Sequence, residues 1–346
     1  DARLQNFATQ RLGSESAAAV VIDVTNGDIV AISSSPVFDP NMFVRGISGP
    51  DYRALMNHDH RPLADKTVQG AYPPGSTFKM VTLLAGLESG VINGGSRFFC
   101  PGYIQLAGRR FHCWSRGGHG TVDPVGSLAH SCDVFYYELA QRVGIDRIAE
   151  MARRLGIGVK HDLPMSAITE GIAPDRAWKK ARYGQEWQVG DSVNASIGQG
   201  YVLASPLQLA VMTARLATGL GVKPRLVRAI DGVPEPDPQF AELGLNPLNL
   251  RTARAGMDAV MNSDGGTARR ARSQAQQALQ ARSALDAFGY ASMTVRVADG
   301  RILWQTALAR RLLLAYGDSP GDAGSATVGE TLRHWMARQL DGVLQG

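Results

Sequence analysis

Cysteine is scarce in this chain, with three among 346 residues. So few exclude a fold stapled by a disulfide framework, and each cysteine needs its own explanation. No apolar run approaches the ~20 residues that a membrane helix requires. No basic, apolar leader opens the chain either. The start at Asp1 reads as a boundary or a mature end, which leaves open an anchor outside these residues. There is no internal repeat, so a solenoid is excluded. The net charge of +5 and a pI near 9.2 suit an anionic surface or polymer nearby. The basic residues are not gathered into a Lys/Arg block, however, and no nucleic-acid partner is expected. Lysine itself runs out, because none follows Lys223.

What is present is ordinary for a globular protein. The chain is 44% hydrophobic and 19% charged, which allows a real core and excludes disorder. Its length suits one large domain or two modest ones. "AAAVVIDVTNGDIVAISSSP" (17–36) predicts two strands around Asn26-Gly27, with both turn residues at positive φ. A polar loop is expected from Phe38 to Gly70. Tyr72-Pro73-Pro74-Gly75 then stops regular structure, and a helix begins at once. Its apolar stripe is Phe78, Val81, Leu84 and Leu87, with Gly90 as its stop. Residues 97–120 read as irregular. "AHSCDVFYYELAQRVG" and "IDRIAEMARRLGIG" predict further helices, and 160–195 reads as loop-rich. "SPLQLAVMTARLATG" predicts a helix capped by Ser205 with Pro206 in its first turn. Strands followed by a helical stretch indicate an α+β fold.

Two residues of the first helix fit packing badly. Ser76 stands at its start, where a simple cap would explain it. Lys79 lies three residues on, on the same face and near the positive end of the helix dipole, where a cation is locally unfavourable. Wedged among Phe78, Met80 and Val81, its amine would be desolvated, which favours the neutral form. A neutral amine beside a hydroxyl can take its proton and create a nucleophile. The helix terminus and nearby N–H groups would then stabilise an oxyanion. A second cluster, Ser131-Cys132-Asp133, opens another predicted helix. Helix capping is again the plain reading. As chemistry, Ser131 would relay a proton between Lys79 and a leaving amine, with Asp133 orienting the site.

Cys100, Cys113 and Cys132 enclose His119 with the spacing C-x12-C-x5-H-x12-C. Two readings stand open on these residues alone. One is a Cys100–Cys113 disulfide, with Cys132 a buried thiol and His119 at the surface. The other is a four-ligand metal site that tethers an irregular stretch and anchors Cys132 behind Ser131 and Asp133.

"RPLADKTVQGAYPPGSTFKMVTLLAGLESG", "GHGTVDPVGSLAHSCDVFYYELAQRVGIDRIAEMARRLGIG" and "WQVGDSVNASIGQGYVLASPLQLAVMTARLATG" resemble the transpeptidase domain of class B penicillin-binding proteins, of the elongation-specific penicillin-binding protein 2 type. The resemblance spans residues 1–272 through several motifs, including the family's S-x-x-K. It implies the penicillin-binding protein/β-lactamase-like fold, an antiparallel sheet flanked by helices with a mostly helical lobe. Residues 1–16 would be a residual linker from an N-terminal pedestal or anchor, 17–272 the transpeptidase domain, and 273–346 its remainder by length. It implies Ser76 as acylated nucleophile, Lys79 as base, and Ser131 with Asp133 as second motif. "SIGQGYVLASPLQ" implies Gln199 and Gly200 as substrate-binding residues. Cys100, Cys113, His119 and Cys132 would hold a structural zinc, and no organic cofactor is implied. Substrates would be peptidoglycan stem peptides, with β-lactam antibiotics as acylating inhibitors. A RodA-type glycosyltransferase and MreC would be partners, at the periplasmic face of the bacterial inner membrane.

The family's third motif, Lys-Thr-Gly, does not follow "NSDGGTARR". Residues 273–346 carry arginine but no lysine; "SQAQQALQARSALDAFGY" predicts a helix, and "ASMTVRVADGRILWQTALA" a hairpin around Asp299-Gly300. The tail is a frame-shifted or misassigned stretch, a divergent end, or the mark of a degenerate member, and its letters favour the first. The missing motif favours a non-catalytic scaffold or β-lactam sensor as an alternative. A serine β-lactamase or carboxypeptidase is another, although no residue is assigned to activate water. Trp114, Trp178 and Trp187 would line a groove or pack. His58, His60, His112, His130 and His161 are expected in loops or at the surface.

Overall fold

The computed structural model describes residues 1–272 and the backbone of two short strands, Met293–Val295 and Ile302–Gln305. The chain divides into two compact units, Asp1–Thr267 and Ala268–Gly346.

The first unit opens with α1 (Ala2–Leu12), capped by the Asp1 carboxylate, and the strands β1 (Ala17–Ile22) and β2 (Ile29–Ser35). The strands pair antiparallel from Ala17↔Ser35 to Ile22↔Ile29. Alternation gives the hairpin two covered faces. Val20, Ile22, Ile29 and Ile32 join a small core with Leu207 and Val211. Ser33 meets Thr9 of α1 at 2.9 Å, and the Gln5 amide pairs both main-chain groups of Ile32. The expected two-residue Asn26-Gly27 turn is corrected. Only Gly27 has positive φ (77°), and the loop is longer, closed by Asp23 N–H to Asp28 O and Gly27 N–H to Asp23 O. A neighbouring segment explains this. A Cβ on Gly27 would lie 2.1 Å from Lys223 O, and Arg225 exchanges main-chain bonds with Gly27 and Ile29. Long-range pairing therefore overrides the local turn preference.

The expected polar loop holds two short helices, α2 (Asn41–Val44) and α3 (Gly49–Met56). Neither buries a residue, so periodicity gave no sign of them, although Ser48 caps α3. A 3₁₀ turn (Gly75–Phe78) leads into α4 (Lys79–Glu88). Val81, Leu83, Leu84, Ala85 and Leu87 are all buried, so α4 is a central helix rather than an amphipathic one. Burying each large side chain is worth about 1.5–3 kcal/mol. Gly90, at φ 69°, follows its end as expected.

The irregular stretch contains two small ribbons. β3 (Phe98–Cys100) is destined to pair with a later strand, while β4 (Tyr103–Leu106) pairs β5 (Arg109–His112). β6 (Gly120–Val122) returns antiparallel to β3. The helices α5 (Pro124–Ala129), α6 (Asp133–Val143) and α7 (Ile145–Arg154) follow. The loop-rich 160–195 region forms α8 (Arg176–Tyr183) and α9 (Val189–Ser196), each set by a polar cap. α10 (Pro206–Thr218) has the expected Ser205 cap, with Gln208 completing a capping box. A short ribbon, β7 (Ala229–Ile230) with β8 (Val233–Pro234), precedes α11 (Pro247–Asn262).

α4 packs on α6, α7 and α11, which makes the mostly helical lobe. The α+β class stands: the β1–β2 hairpin packs on α1 and α10, and the β3–β6 ribbon on α6 and α5. In the second unit, β9 (Met293–Val295) pairs antiparallel with β10 (Ile302–Gln305), which bracket Asp299-Gly300 in sequence as expected. The helix expected from "SQAQQALQARSALDAFGY" lies outside the described residues. Among the described residues no helix is long and apolar enough to cross a membrane.

Candidate active site

Three elements place the polar side chains. The 72–75 segment bonds to 198–204 through Tyr72 with Ala204 and through Gly75 N–H to Gly198 O (2.9 Å). A Cβ on Gly198 would lie 2.3 Å from Gly75 O, so only glycine lets the two segments meet. This clamp fixes the turn that exposes Ser76 while α4 carries Lys79 inward. Opposite, α5 ends, and Ser131 makes a left-handed corner (φ 50°) before α6 begins at Asp133. A non-glycine residue in that region costs about 1–3 kcal/mol.

The corner brings the expected residues into one row. Lys79 is 1% exposed. Its Nζ donates to Ser131 O (2.8 Å), Ser131 Oγ (2.9 Å) and Asp133 Oδ1 (2.6 Å). Ser131 Oγ donates to Ser76 Oγ at 2.9 Å. Asp133 Oδ2 accepts the Trp114 main-chain N–H at 2.9 Å. Two expectations are corrected here. Lys79 makes no hydrogen bond to Ser76 among the described residues, and Ser131 stands between them. Nor is its amine simply wedged among apolar neighbours: it meets three acceptors, one of them the Asp133 carboxylate. The reason is the corner at Ser131, which brings in a carboxylate that spacing along α4 does not reveal. Ser131 also lies outside the helix, whose N-cap is Cys132.

The row borders a cavity of about 900 Å³ lined by Ser76, Trp114, Arg116, Tyr137, Gln199 and Thr267, among others. Gln199 lines this cavity, whereas Gly200 does not. Burial is the main cause that raises the Tyr137 phenol above its ordinary range, so it stays a neutral donor. Trp114 and Arg116 have no role in the motif reading. Trp114 lines the cavity, one of the two placements expected of it, while the only signal for Arg116 was its place three residues past Cys113.

Behind the row, the ligand atoms of Cys100, Cys113, His119 and Cys132 lie within 4.8 Å of one another. All three cysteines are buried and free, and His119 is half-buried with Nδ1 at 3.7 Å from Cys100 Sγ and 3.5 Å from Cys113 Sγ. The disulfide and the surface histidine are therefore not what the structure contains. The Cys132 hydrogen bond, with N–H groups of Ser115, Asp133 and Val134, draws the Cys113 thiol down to about 5. Cys132, the donor of that pair, is pushed up by the same bond and by burial. A stabilised thiolate among soft donors fits a tetrahedral zinc, and His119 turns Nδ1 toward Cys100 and Cys113 as the fourth donor. His161 stands in a loop as expected, yet it is buried, with Nε2 bonded to Gly156 O at 2.9 Å.

A serine linked through a second serine to a buried lysine, at the start of a central helix, defines the Ser-x-x-Lys class that includes penicillin-binding proteins and class A β-lactamases. Residues 17–283 match the model of the penicillin binding protein transpeptidase domain, and the chain belongs to that family. It is 39% identical over 235 residues to the peptidoglycan D,D-transpeptidase MrdA of Acinetobacter baumannii, covering 67% of this chain and 35% of that protein. It is 35% identical over 291 residues to MrdA of Escherichia coli K12, covering 82% of this chain and 46% of that protein. The chain thus spans less than half the length of these relatives. Among solved structures, penicillin-binding protein 2 of Pseudomonas aeruginosa in complex with WCK 5153 is 40% identical, with a TM-score of 0.74 over 78% of this chain and 60% of that one. Penicillin-binding protein 2 of Helicobacter pylori in complex with MreC is 33% identical, with a TM-score of 0.70 over 77% and 50%.

Proposed function

We propose that this chain is the catalytic domain of an elongation-type peptidoglycan D,D-transpeptidase. One observation carries the reading: the unbroken hydrogen-bonded row from Lys79 through Ser131 to Ser76, at the mouth of a cavity large enough for a peptide. The relatives' names support the substrate class. In the first step Ser76 Oγ attacks the carbonyl carbon of a D-Ala-D-Ala amide. Once Lys79 sheds a proton, the hydroxyl chain reverses, so that Ser76 donates to Ser131 and Ser131 to the Lys79 lone pair. The C–N bond breaks, the proton returns along the row to the leaving nitrogen, and D-Ala departs. An amine of a second stem peptide then attacks the ester, the C–O bond breaks, and Ser76 regains its proton. A β-lactam would open its ring C–N bond on the same oxygen and remain attached. Gln199, which lines the cavity, would border the bound chain, with Gly200 acting less directly as its neighbour. No organic cofactor takes part.

Cys100, Cys113, His119 and Cys132 would hold a structural zinc, which would tie the 97–120 stretch to the start of α6. Its role is to hold the backbone behind the row, and no chemical step passes through it. The MreC complex of the Helicobacter relative and the peptidoglycan synthase complex among the similar structures support MreC and a RodA-type glycosyltransferase as partners. The working location would be the periplasmic face of a bacterial inner membrane. Residues 17–272 would be the core of the domain, 1–16 its linker, and 273–346 its remainder. Fluorescent penicillin tests the reading: wild type should be labelled stably, and Ser76→Ala should not. Rapid turnover would indicate a β-lactamase, and no labelling a scaffold.

A further inference from the structure

Trp114 lies outside the Ser-x-x-Lys and Ser-x-Asp motifs, yet it touches both ends of the second one. Its main-chain N–H holds Asp133 Oδ2 (2.9 Å), and Asp133 Oδ1 holds Lys79. Its indole Nε1–H is shared between His130 O (2.9 Å) and Ser131 O (3.1 Å). These are the two carbonyls at the left-handed corner. Such a corner persists in a non-glycine residue only where its surroundings over-determine it. Four donors serve it here: Ser131 N–H to Leu128 O, Cys132 N–H to Ser127 O, Lys79 Nζ on Ser131 O, and the indole. Of these, the indole alone binds both carbonyls. The ring is 61% exposed and lines the cavity, so it is not held there by core burial. Packing alone would not orient an exposed indole with its N–H turned inward onto two carbonyls. It is fixed instead from behind, because its neighbour Cys113 is buried in the four-ligand cluster and its ring meets His119 at 5.4 Å.

We propose that Trp114 is a positioning residue, whose indole N–H holds the Ser131 corner so that Ser131 Oγ sits between Lys79 and Ser76. This rests on the acyl-transfer reading above. The effect on chemistry would run through Ser131. Without the indole, the 130–131 peptide loses a donor and the corner can relax, which lengthens the Ser131–Ser76 or Lys79–Ser131 contact. At metal sites, partners that orient a ligating residue are typically worth about 10–100-fold, and an effect of that order is expected here. They act on the chemical step, because a misplaced proton relay does not weaken ground-state binding.

Trp114→Phe keeps the ring and removes the N–H. With the full chain, the penicillin dissociation constant and the acylation rate constant are measured separately, together with the melting temperature and the count of reactive thiols. The expected result is an acylation rate constant lower by about tenfold, an unchanged dissociation constant, and melting temperature and thiol count as in wild type. In the Ser131→Ala background the same change should cost less than about twofold, because the group it positions is already gone. An unchanged rate constant overturns the proposal. So does a change confined to the dissociation constant, which would make the ring a ligand contact. A melting temperature lowered by more than about 5 °C would mark general loosening and overturn it as well. A full tenfold loss in the Ser131→Ala background would place the effect elsewhere. Ser76→Ala is run alongside. If wild type captures no penicillin at Ser76, the acyl-transfer reading falls with the proposal. If it does and Trp114→Phe acylates normally, only the role of Trp114 falls.

Discussion

The segment Ser131-Cys132-Asp133 separates two polar clusters of different kind. On one side, Ser76, Lys79, Ser131 and Asp133 form a row of hydrogen bonds that ends at an exposed hydroxyl beside a cavity. On the other, Cys100, Cys113, His119 and Cys132 form a closed knot with no share in that cavity beyond Cys113. Lys79 Nζ has three acceptors, whereas among the described residues His119 Nε2 has no hydrogen-bond partner. On the proposed reading, the row would move protons and the knot would hold backbone. Successive residues of one chain serve both because the corner at Ser131 sends Ser131 and Asp133 one way and Cys132 the other. A regular helix, in which neighbours are 100° apart, would not divide them so sharply.

If the row moves protons, its members should fail first in chemistry. Lys79→Ala should lower the penicillin acylation rate by about 10³-fold, within the range of a lost general base. A loss under tenfold would make Lys79 structural and blur the contrast. Asp133→Asn should rank second. It leaves the ammonium buried without its counter-charge, so stability should fall by about 3–5 kcal/mol and acylation by about 10²-fold. Denaturant titration and labelling kinetics read the two effects, and an unaltered midpoint would contradict the ion pair.

The knot should show the reverse pattern. Removing metal with a chelator, or Cys113→Ser, should lower the melting temperature by about 5 °C or more, with three reactive thiols appearing after chelation. Acylation by the protein that remains folded should fall only about tenfold, as for a lost supporting contact. A metal-free protein of wild-type stability would contradict the tether.

These ranks explain what could be read from the letters. Ser76 and Lys79 were legible because three-residue spacing on a helix is a local property. The α10 cap was legible for the same reason, since Ser205, Pro206 and Gln208 are neighbours in sequence. The relay was only half legible. Ser131 was identified, but the donors that meet its carbonyl come from Trp114 and Lys79, far away in sequence. The paired state of Lys79 was missed for that reason. The Asn26-Gly27 turn failed because the segment at Lys223 and Arg225 reshapes it. α2, α3 and α8 bury too little apolar surface to produce a helical period.

His161 gives the smallest expected effect, remote from both clusters. Burial is the chief cause that lowers its pKa, partly opposed by the Gly156 carbonyl and aided by the Arg215 charge. The folded state therefore binds fewer protons than the unfolded chain just below the ordinary histidine value of ~6.5. Stability should be full above that value and decline as the pH falls through the folded one. His161→Gln should make the pH dependence of the denaturation midpoint shallower. An unchanged slope would contradict the buried neutral imidazole, without touching the row or the knot.

The most direct test is mass spectrometry of the intact protein after brief exposure to penicillin, followed by peptide mapping. The account predicts a single adduct of the whole drug mass, on the peptide that contains Ser76, persisting for minutes or longer. An adduct on Ser131 or on a cysteine, or no adduct from a correctly folded protein, would contradict it.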